Sequence, residues 1–232
     1  MKLDDVIPWG RSLDEYRAMF ALSAADVASR ILGCGDGPAS FNADGTELGY
    51  RITSCDPIYE FTGAQVESRV HQSYPAMIAQ VKAKPDNFRW ELFRDPDHLV
   101  EYRLAAMRGF LADYEAGKAS GRYVAASLPR LPFADAAFDL ALCSHFLFLY
   151  SAHIDLAFHR QALQELLRVA REVRIFPLLD LDCVRSAHVE PVCAFLRSEG
   201  HQVEIVRVPY EFQRGGNEML RIRRRHSSQS MC

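Results

Sequence analysis

The sequence predicts an α/β fold with an open, doubly wound sheet of about seven strands. Three observations carry this prediction. Short apolar runs alternate with amphipathic helical patterns along most of the chain, which is typical of parallel βαβ units. The first apolar run breaks into glycines at every second position, and the second run ends in an aspartate. The last two runs with period-two alternation are joined by a loop that contains a Gly-Gly pair, which predicts a hairpin with a reversed last strand.

Composition narrows the class of protein. The 232 residues are 49% hydrophobic and 25% charged, which suits one domain with a sizeable core. The net charge of -3 gives no global attraction to nucleic acid or anionic membranes. Six cysteines form no Cys-x-x-Cys pair, and the start of the sequence has no secretory signal pattern, so we expect a reduced, cytoplasmic protein. No apolar run approaches the roughly 18 residues of a membrane span.

The first elements are a short helix and a strand that ends in glycines. Ser12 and Glu15 have the spacing of a capping box, which predicts a helix from there to about Leu22. The first strand then runs into Gly33-Cys34-Gly35-Asp36-Gly37. Glycine permits positive φ and lets a ligand approach the backbone, so we expect a ligand across this turn. Pro38 suits the first turn of the next helix, predicted to end near Leu48.

The second strand, at residues 50–55, closes on Asp56, 23 residues after Gly33. In a doubly wound sheet, an acid at this place accepts hydrogen bonds from both hydroxyls of a ribose. Two alternatives involve no ligand. Asp56 is also typical of an Asx turn before Pro57, and a glycine-rich turn can be a tight connection between strand and helix.

More than sixty residues separate Asp56 from the third strand at 122–127, which predicts a helical insertion at about 60–120. We expect one helix over 64–82 with a kink at Pro75. A second is expected over 96–116, capped by Asp95 and ended by Gly117. The segment between them is rich in aromatic residues and arginine. One hypothesis is that this segment is a lid that contacts the substrate through Arg89, Trp90 and Arg94. The alternatives are a packed connection between the helices and a dimer contact.

The remaining elements complete the sheet. The fourth strand, Phe138–Ser144, is almost wholly apolar, as a strand covered on both faces must be. A helix over 155–171 and a fifth strand over 172–179 follow. A last helix over 189–199 then leads to the hairpin, whose strands are predicted at 202–208 and 219–223. We expect one domain over residues 1–225 and a disordered tail at 226–232.

Three features together resemble the class I S-adenosylmethionine-dependent methyltransferases. These are the Gly33, Gly35, Gly37 spacing, the acid Asp56, and Leu131-Pro132-Phe133 ahead of the apolar fourth strand. The resemblance covers about residues 29–56 and 122–223. The glycine spacing fits this family better than the nicotinamide fingerprint, whose third glycine comes three residues after the second. The family's acid two residues before the first glycine is replaced here by Ile31.

The resemblance implies S-adenosylmethionine as cofactor, S-adenosylhomocysteine as its product, and a Rossmann-like methyltransferase sheet. The implied cofactor-binding residues are Gly33, Cys34, Gly35, Asp36, Gly37, Asp56, Pro57, Ser127, Leu128, Ser144, His145 and Phe146. The family usually has an acid after the third strand, where this chain has Ser127-Leu128. We therefore expect adenine to meet the Leu128 backbone N–H and apolar side chains. No metal-binding spacing is evident.

Candidates for catalysis and substrate contact are fewer. His145 and Tyr150 follow the fourth strand, and an imidazole there is either a general base or a group that positions the loop. Trp9, Arg11 and Tyr16, around the N-terminal helix, are candidates for contacts with substrate or a carboxylate, unless that helix only covers the sheet.

The predicted function is in-line methyl transfer to a small-molecule acceptor. The alternatives are an RNA or protein methyltransferase and a non-catalytic scaffold of the same fold. The oligomeric state stays open.

Overall fold

The computed structural model describes residues 9–224, without the side chains of residues 76, 77 and 80. Seven helices are α1 (Leu13–Met19), α2 (Ala24–Val27), α3 (Phe41–Glu47), α4 (Gly63–Ala83), α5 (Pro96–Ala119), α6 (Leu156–Val169) and α7 (Val189–Ser198). Seven strands are β1 (Arg30–Cys34), β2 (Arg51–Cys55), β3 (Tyr123–Val124), β4 (Phe138–Ser144), β5 (Ala170–Phe176), β6 (Gln202–Arg207) and β7 (Glu218–Arg223). The predicted tail at 226–232 lies outside the described residues.

All seven strands form one sheet in the order β3-β2-β1-β4-β5-β7-β6. β1 pairs in parallel with both β2 and β4, and β4 pairs in parallel with β5. β7 is antiparallel to β5 on one side and to β6 on the other. This confirms the doubly wound sheet with a reversed last strand. The strand order changes direction between β1 and β4, so a crevice opens at their carboxyl ends, where such sheets bind ligands.

Both faces of the sheet are covered, as the apolar β4 requires. Successive residues of β1 point to opposite faces: Leu32 packs in the apolar layer under α6 and α7, and Ile31 in the layer under α1. The position that is acidic in the family is therefore part of the core here, because Ile31 is fully buried. No helix within residues 9–224 has the length and apolar character needed to cross a membrane.

Helix starts follow the capping residues where these exist. The capping box at Ser12 is confirmed: its hydroxyl accepts the Glu15 N–H at 3.3 Å, and the Glu15 carboxylate accepts the Ser12 N–H at 3.1 Å. The expected start of the next helix at Pro38 is wrong, because α3 begins at Phe41. The segment directly before α3 is not helical, because the N–H of Ser40 donates to the Arg11 carbonyl at 3.0 Å.

The insertion consists of α4 and α5, which pack against each other, and α5 also contacts α3. α4 is one helix that contains Pro75. The expected end of the second helix at Gly117 is wrong, since α5 continues to Ala119. Gly117 serves close packing instead: a Cβ there would lie 2.3 Å from Cε2 of Tyr123. The third strand is also shorter than predicted, with two residues, Tyr123 and Val124.

Candidate functional site

The glycine turn forms one wall of a crevice at the carboxyl edge of β1 and β4. Gly35 and Gly37 have φ of 72° and 56°, which side chains disfavour. The Gly35 N–H donates to the Cys55 carbonyl at 2.8 Å, which ties the turn to the end of β2. A Cβ on Gly35 would stand 3.4 Å from Cβ of Phe146, across the gap between the turn and the exit of β4. Because Gly35 has no side chain, the gap between the glycine turn and Phe146 stays wide.

Asp36 turns its side chain inward from the glycine turn. Its Oδ1 accepts the hydroxyl of Tyr16 at 2.7 Å, and its Oδ2 accepts the hydroxyl of Ser54 at 2.6 Å. Burial raises the pKa of Asp36 to about 7, although both hydroxyls lower it. Asp36 thus links α1, the glycine turn and β2 beneath the crevice.

Asp56 sits beside the turn and has two backbone partners. Its Oδ2 accepts the Gly37 N–H and its Oδ1 accepts the Ile58 N–H, each at 2.9 Å. The second bond caps a short 3-10 turn at Pro57–Glu60, so the Asx-type arrangement is present. Each carboxylate oxygen accepts more than one hydrogen bond, which leaves capacity for a diol. Burial raises the pKa of Asp56 to about 6, against the lowering effect of the two N–H groups.

A cavity of about 570 Å³ opens between these elements. This volume falls in the range of small-molecule sites. Asp56 contributes a carboxylate, and apolar walls face it from the segment after β3 and from α6. The lining residues are Cys34, Gly35, Asp56, Pro57, Ala126, Ser127, Leu128, His145, Phe146, His153, Ile154, Asp155 and Phe158.

His145 lies at the exit of β4 with φ of 51°, an uncommon value for a residue with a side chain. Its backbone N–H donates to the Phe176 carbonyl at 2.6 Å, which holds this conformation. Burial lowers the pKa of the imidazole well below its ordinary value, and the positive charges of Arg11 and Arg103 lower it further. The imidazole is therefore neutral at physiological pH.

Side-chain hydrogen bonds are present on both sides of the crevice. Nδ1 of His145 lies 2.9 Å from the Ser144 hydroxyl. On the other side, Asp36 accepts the hydroxyls of Tyr16 and Ser54. The contact with Ser144 orients Nδ1 of His145, and Nε2 is the ring nitrogen without a hydrogen bond within residues 9–224.

The structure brings most of the predicted cofactor-binding residues together. Eight of the twelve line the cavity: Cys34, Gly35, Asp56, Pro57, Ser127, Leu128, His145 and Phe146. The other four do not line the cavity but lie next to residues that do: Gly33, Asp36, Gly37 and Ser144. Their roles in binding stay predictions. The Cys55 thiol and burial raise the pKa of Cys34, so this thiol is not activated as a nucleophile.

Tyr150 and Tyr16 are not among the residues that line the cavity. Tyr150 is buried in a small apolar cluster with Leu149 and Ile154. Tyr16 is buried beneath the crevice, where its ring stacks on Phe41 at 4.1 Å. Their roles in catalysis or substrate contact also stay predictions.

Arg89, Trp90 and Arg94 lie where the insertion meets the β6–β7 loop. The Arg89 N–H donates to the Phe212 carbonyl at 2.7 Å, and its guanidinium pairs with Glu211 at 3.3 Å. The Trp90 ring packs edge-on against Phe212 at 5.9 Å. The backbone N–H of Arg94 donates to His98 at 3.2 Å. Within the described part of the chain, this placement is that of a packed connection, and the predicted substrate contact stays a prediction.

Sequence reasoning did not nominate five residues of the lining. Ala126 directly precedes the predicted Ser127, so strand-end position was an available signal. His153, Ile154, Asp155 and Phe158 come from the loop after β4 and the start of α6, and folding of that loop brings them over the cavity. Among the described residues, no group of three or more histidine, cysteine or acidic side chains is placed to hold a metal ion.

Two comparisons with known proteins bear on the family. A family model described as a methyltransferase domain matches residues 101–173. The uncharacterized protein MJ0045 of Methanocaldococcus jannaschii is 32% identical over 225 residues, which cover 97% of this chain and 99% of the relative. The chain belongs to the class I S-adenosylmethionine-dependent methyltransferases.

Solved structures similar to this methyltransferase have lower sequence identity. The magnesium protoporphyrin IX methyltransferase of Synechocystis PCC 6803, crystallised with S-adenosylmethionine, is 12% identical, with a TM-score of 0.48 over 92% of this chain and 78% of that one. A putative S-adenosylmethionine-dependent methyltransferase of Methanococcus maripaludis is 12% identical, with a TM-score of 0.45 over 91% and 83% of the two chains. The cofactor of this methyltransferase family is S-adenosylmethionine.

The crevice fits that cofactor. An amino-acid end, a ribose and an adenine need a turn without side chains, an acceptor pair for a diol, and an apolar slot, in this order. The lining of the crevice includes Gly35 of the glycine turn, the carboxylate of Asp56, and the apolar side chains of Leu128 and Phe158. The carboxylate of Asp56, which is partly buried and has acceptor capacity left, is the feature that best suits a ribose.

Proposed function

We propose that this methyltransferase acts on a small-molecule acceptor and binds its cofactor in the cavity between Gly35 and Phe158. The cavity supports the cofactor part of the proposal, because a pocket bounded by side chains from several elements suits a small molecule. The acceptor part rests on charge, because a nucleic-acid substrate needs a charged surface near the carboxyl edge.

Surface charge supports the same conclusion. Arginines cluster near the C-terminus, which would favour nucleic acid if they were unpaired, yet Arg221 and Arg223 donate to the two oxygens of Glu172 at 2.7 and 3.0 Å. The buried Arg174 also donates to Glu172 at 2.7 Å. One carboxylate thus neutralises part of this basic strand, and these arginines fasten β7 to β5. Phosphate binding needs cations that are free to exchange counterions.

The cofactor supplies an electrophilic methyl group on a sulfonium. The chain's part is alignment and exclusion of water, which supply much of the barrier reduction in such displacements. The glycine turn and Phe146 define the passage, Asp56 and Leu128 hold the nucleoside, and His145 stands at the end of β4. Its neutral imidazole offers Nε2 as acceptor for a proton from the nucleophile, while Ser144 holds Nδ1.

The test is a transfer assay with radiolabelled methyl groups. Purified protein and S-adenosylmethionine carrying tritium in the methyl group are incubated with a cell extract divided into small molecules, RNA and protein. We expect label in the small-molecule fraction, lost in Asp56→Ala and retained in the surface variant Glu60→Gln. Label confined to RNA or protein would contradict the small-molecule proposal. Cofactor binding without transfer to any fraction would favour a non-catalytic protein.

A further inference from the structure

A second group of polar side chains lies beside the crevice, at the N-terminal side of α1. Gly10 and Arg11 run along the turn before α3, where the Arg11 carbonyl accepts the Ser40 N–H at 3.0 Å. Arg103 comes from α5 and is fully buried. Both guanidinium groups are close enough to His145 that their charges lower the pKa of its imidazole.

Arg103 has a fixed counter-charge. It pairs with the Glu15 carboxylate and also donates to the Gly10 carbonyl at 3.4 Å. The other Glu15 oxygen accepts the Tyr210 hydroxyl at 2.8 Å. Burial disfavours the charged guanidinium of Arg103, but Glu15 and Tyr210 outweigh it and its pKa is raised. Arg103 and Glu15 thus form a neutral, structural pair.

Arg11 has no ion-pair partner within residues 9–224. Its only hydrogen bond within residues 9–224 goes from Nη1 to the Trp9 carbonyl at 3.1 Å. Burial and the positive charge of Arg103 lower the pKa of Arg11. One carboxylate in this cluster therefore faces two guanidinium groups, and one positive charge is left over. Arg11 is partly buried, and a charge that is removed from water without a partner is unfavourable unless a ligand compensates it.

Unsatisfied hydrogen-bond donors mark the same place. The described side chains include three buried nitrogens in this cluster with no acceptor, namely Nε1 of Trp9, Nε of Arg11 and Nε of Arg103. The Trp9 ring lies against the Arg103 guanidinium at 5.1 Å, so the three residues are neighbours. Buried donors without acceptors are uncommon in folded proteins. A surplus of donors and one surplus positive charge describe a site for an anion.

We propose that Arg11 receives a carboxylate of the methyl acceptor, so that the substrate is a small organic acid. This inference rests on the proposed function. A carboxylate matches the guanidinium fork, which donates two parallel hydrogen bonds. The cofactor also carries a carboxylate, on its amino-acid end. The acceptor is the better match because neither Arg11 nor Arg103 is among the residues that line the cavity assigned to the cofactor, while the charges of both act on His145, which does line it.

The test measures thermal unfolding with S-adenosylhomocysteine present at saturation, so that the cofactor site is filled. Benzoate and acetate are added to the wild type and to Arg11→Gln, with benzamide, acetamide and sodium chloride as uncharged and ionic controls. We expect the carboxylates to raise the Tm of the wild type by roughly 5–10 °C at 100-fold excess over their Kd. The amides should not do so, and Arg11→Gln should lose the effect. Arg11→Lys should keep part of it, and the surface variant Arg17→Gln all of it.

A second arm separates the acceptor from the cofactor. Binding of S-adenosylhomocysteine and of methylthioadenosine, which lacks the amino-acid end, is measured by calorimetry for wild type and Arg11→Gln. Unchanged affinity for both supports a carboxylate of the acceptor. A loss of ten-fold or more for S-adenosylhomocysteine alone would assign Arg11 to the cofactor and overturn the proposal. If the wild type binds neither nucleoside, the proposed function fails, whatever the carboxylates do.

Two further results would overturn the inference while the function stands. One is a wild type that binds S-adenosylhomocysteine but gains no stability from either carboxylate over its amide. The other concerns Asp4 and Asp5, which lie outside the described residues. If carboxylates stabilise the double variant Asp4→Asn/Asp5→Asn and not the wild type, the counter-charge of Arg11 is internal. Stabilisation of both proteins, abolished by Arg11→Gln, supports the site.

Discussion

The carboxylate of Asp36 lies directly over the α-carbon of Gly33, where a Cβ would stand 1.8 Å from Oδ2. We therefore expect Gly33→Ala to expel the Asp36 side chain and break its bonds to Tyr16 and Ser54. The loss of two buried hydrogen bonds, together with overpacking, should lower the free energy of unfolding by about 2–5 kcal/mol. Denaturation with urea measures this change.

The control for that prediction is a double-mutant cycle. Asp36→Ala removes the carboxylate that the new methyl group would meet. The double variant Gly33→Ala/Asp36→Ala should then be only slightly less stable than Asp36→Ala alone, with a coupling energy of about 1–3 kcal/mol. Additive effects would mean that Gly33 is required for another reason.

Asp36 should also shape the pH dependence of stability. Its pKa in the folded protein is raised by burial to about 7, from an ordinary value of 3.8. The folded state therefore holds this proton more tightly, and the stabilisation is full below about pH 4 and is lost as the pH rises through 7. Asp36→Asn keeps the shape and removes the titration. As the pH rises from 4 to 8, the free energy of unfolding of this variant should increase relative to that of the wild type by on the order of 2–4 kcal/mol. Urea unfolding measures this difference. A constant difference across this range would contradict a raised pKa.

His145 should titrate below its ordinary range because burial and two guanidinium groups disfavour the imidazolium. Removing one charge should raise its pKa in Arg11→Gln. The C2–H resonance of His145, followed by NMR against pH, measures the shift. The surface variant Arg17→Gln should leave the titration in place. An unchanged midpoint in Arg11→Gln would place Arg11 too far from His145 to act on it.

Trp90 should matter for stability through the contact between the insertion and the β6–β7 loop. Its indole N–H donates to the Pro85 carbonyl at 3.2 Å, and its ring lies near Phe88 and Phe212. Trp90→Ala should lower the Tm by several degrees through lost packing. Arg94→Ala, whose backbone makes the bond to His98, should change the Tm little. Equal stability of the two variants would show that the aromatic contact does not hold the insertion in place.

The sequence was informative where chemistry is local. The glycine spacing and the acid 23 residues later are properties of backbone turns, and the structure places Gly35 and Asp56 on one cavity. Capping by Ser12 was equally readable, because a cap depends on residues three apart. The reversed last strand followed from the Gly-Gly loop between two alternating runs, and the sheet order confirms it.

Contacts between residues far apart in the sequence could not be predicted from it. Arg103 and Glu15 are 88 residues apart, and no periodicity connects them. Gly117 has the composition of a helix end but is present because the Tyr123 ring approaches it. The loop after β4 brings His153 and Phe158 over the cavity through tertiary packing. The helix start predicted at Pro38 was also wrong, because the hydrogen bond between the Ser40 N–H and the Arg11 carbonyl keeps the segment before α3 out of the helix.

The most direct test of the cofactor site is calorimetric titration of S-adenosylhomocysteine into wild type, Asp56→Asn and the control Glu60→Gln. We predict micromolar binding to the wild type and to the control. Asp56→Asn should bind about 10- to 100-fold more weakly, because hydrogen bonds to a charged acceptor contribute about 1.5–3 kcal/mol. Equal affinity in Asp56→Asn and the wild type would contradict the placement of the ribose on Asp56, and no binding to the wild type would contradict the cavity as the cofactor site.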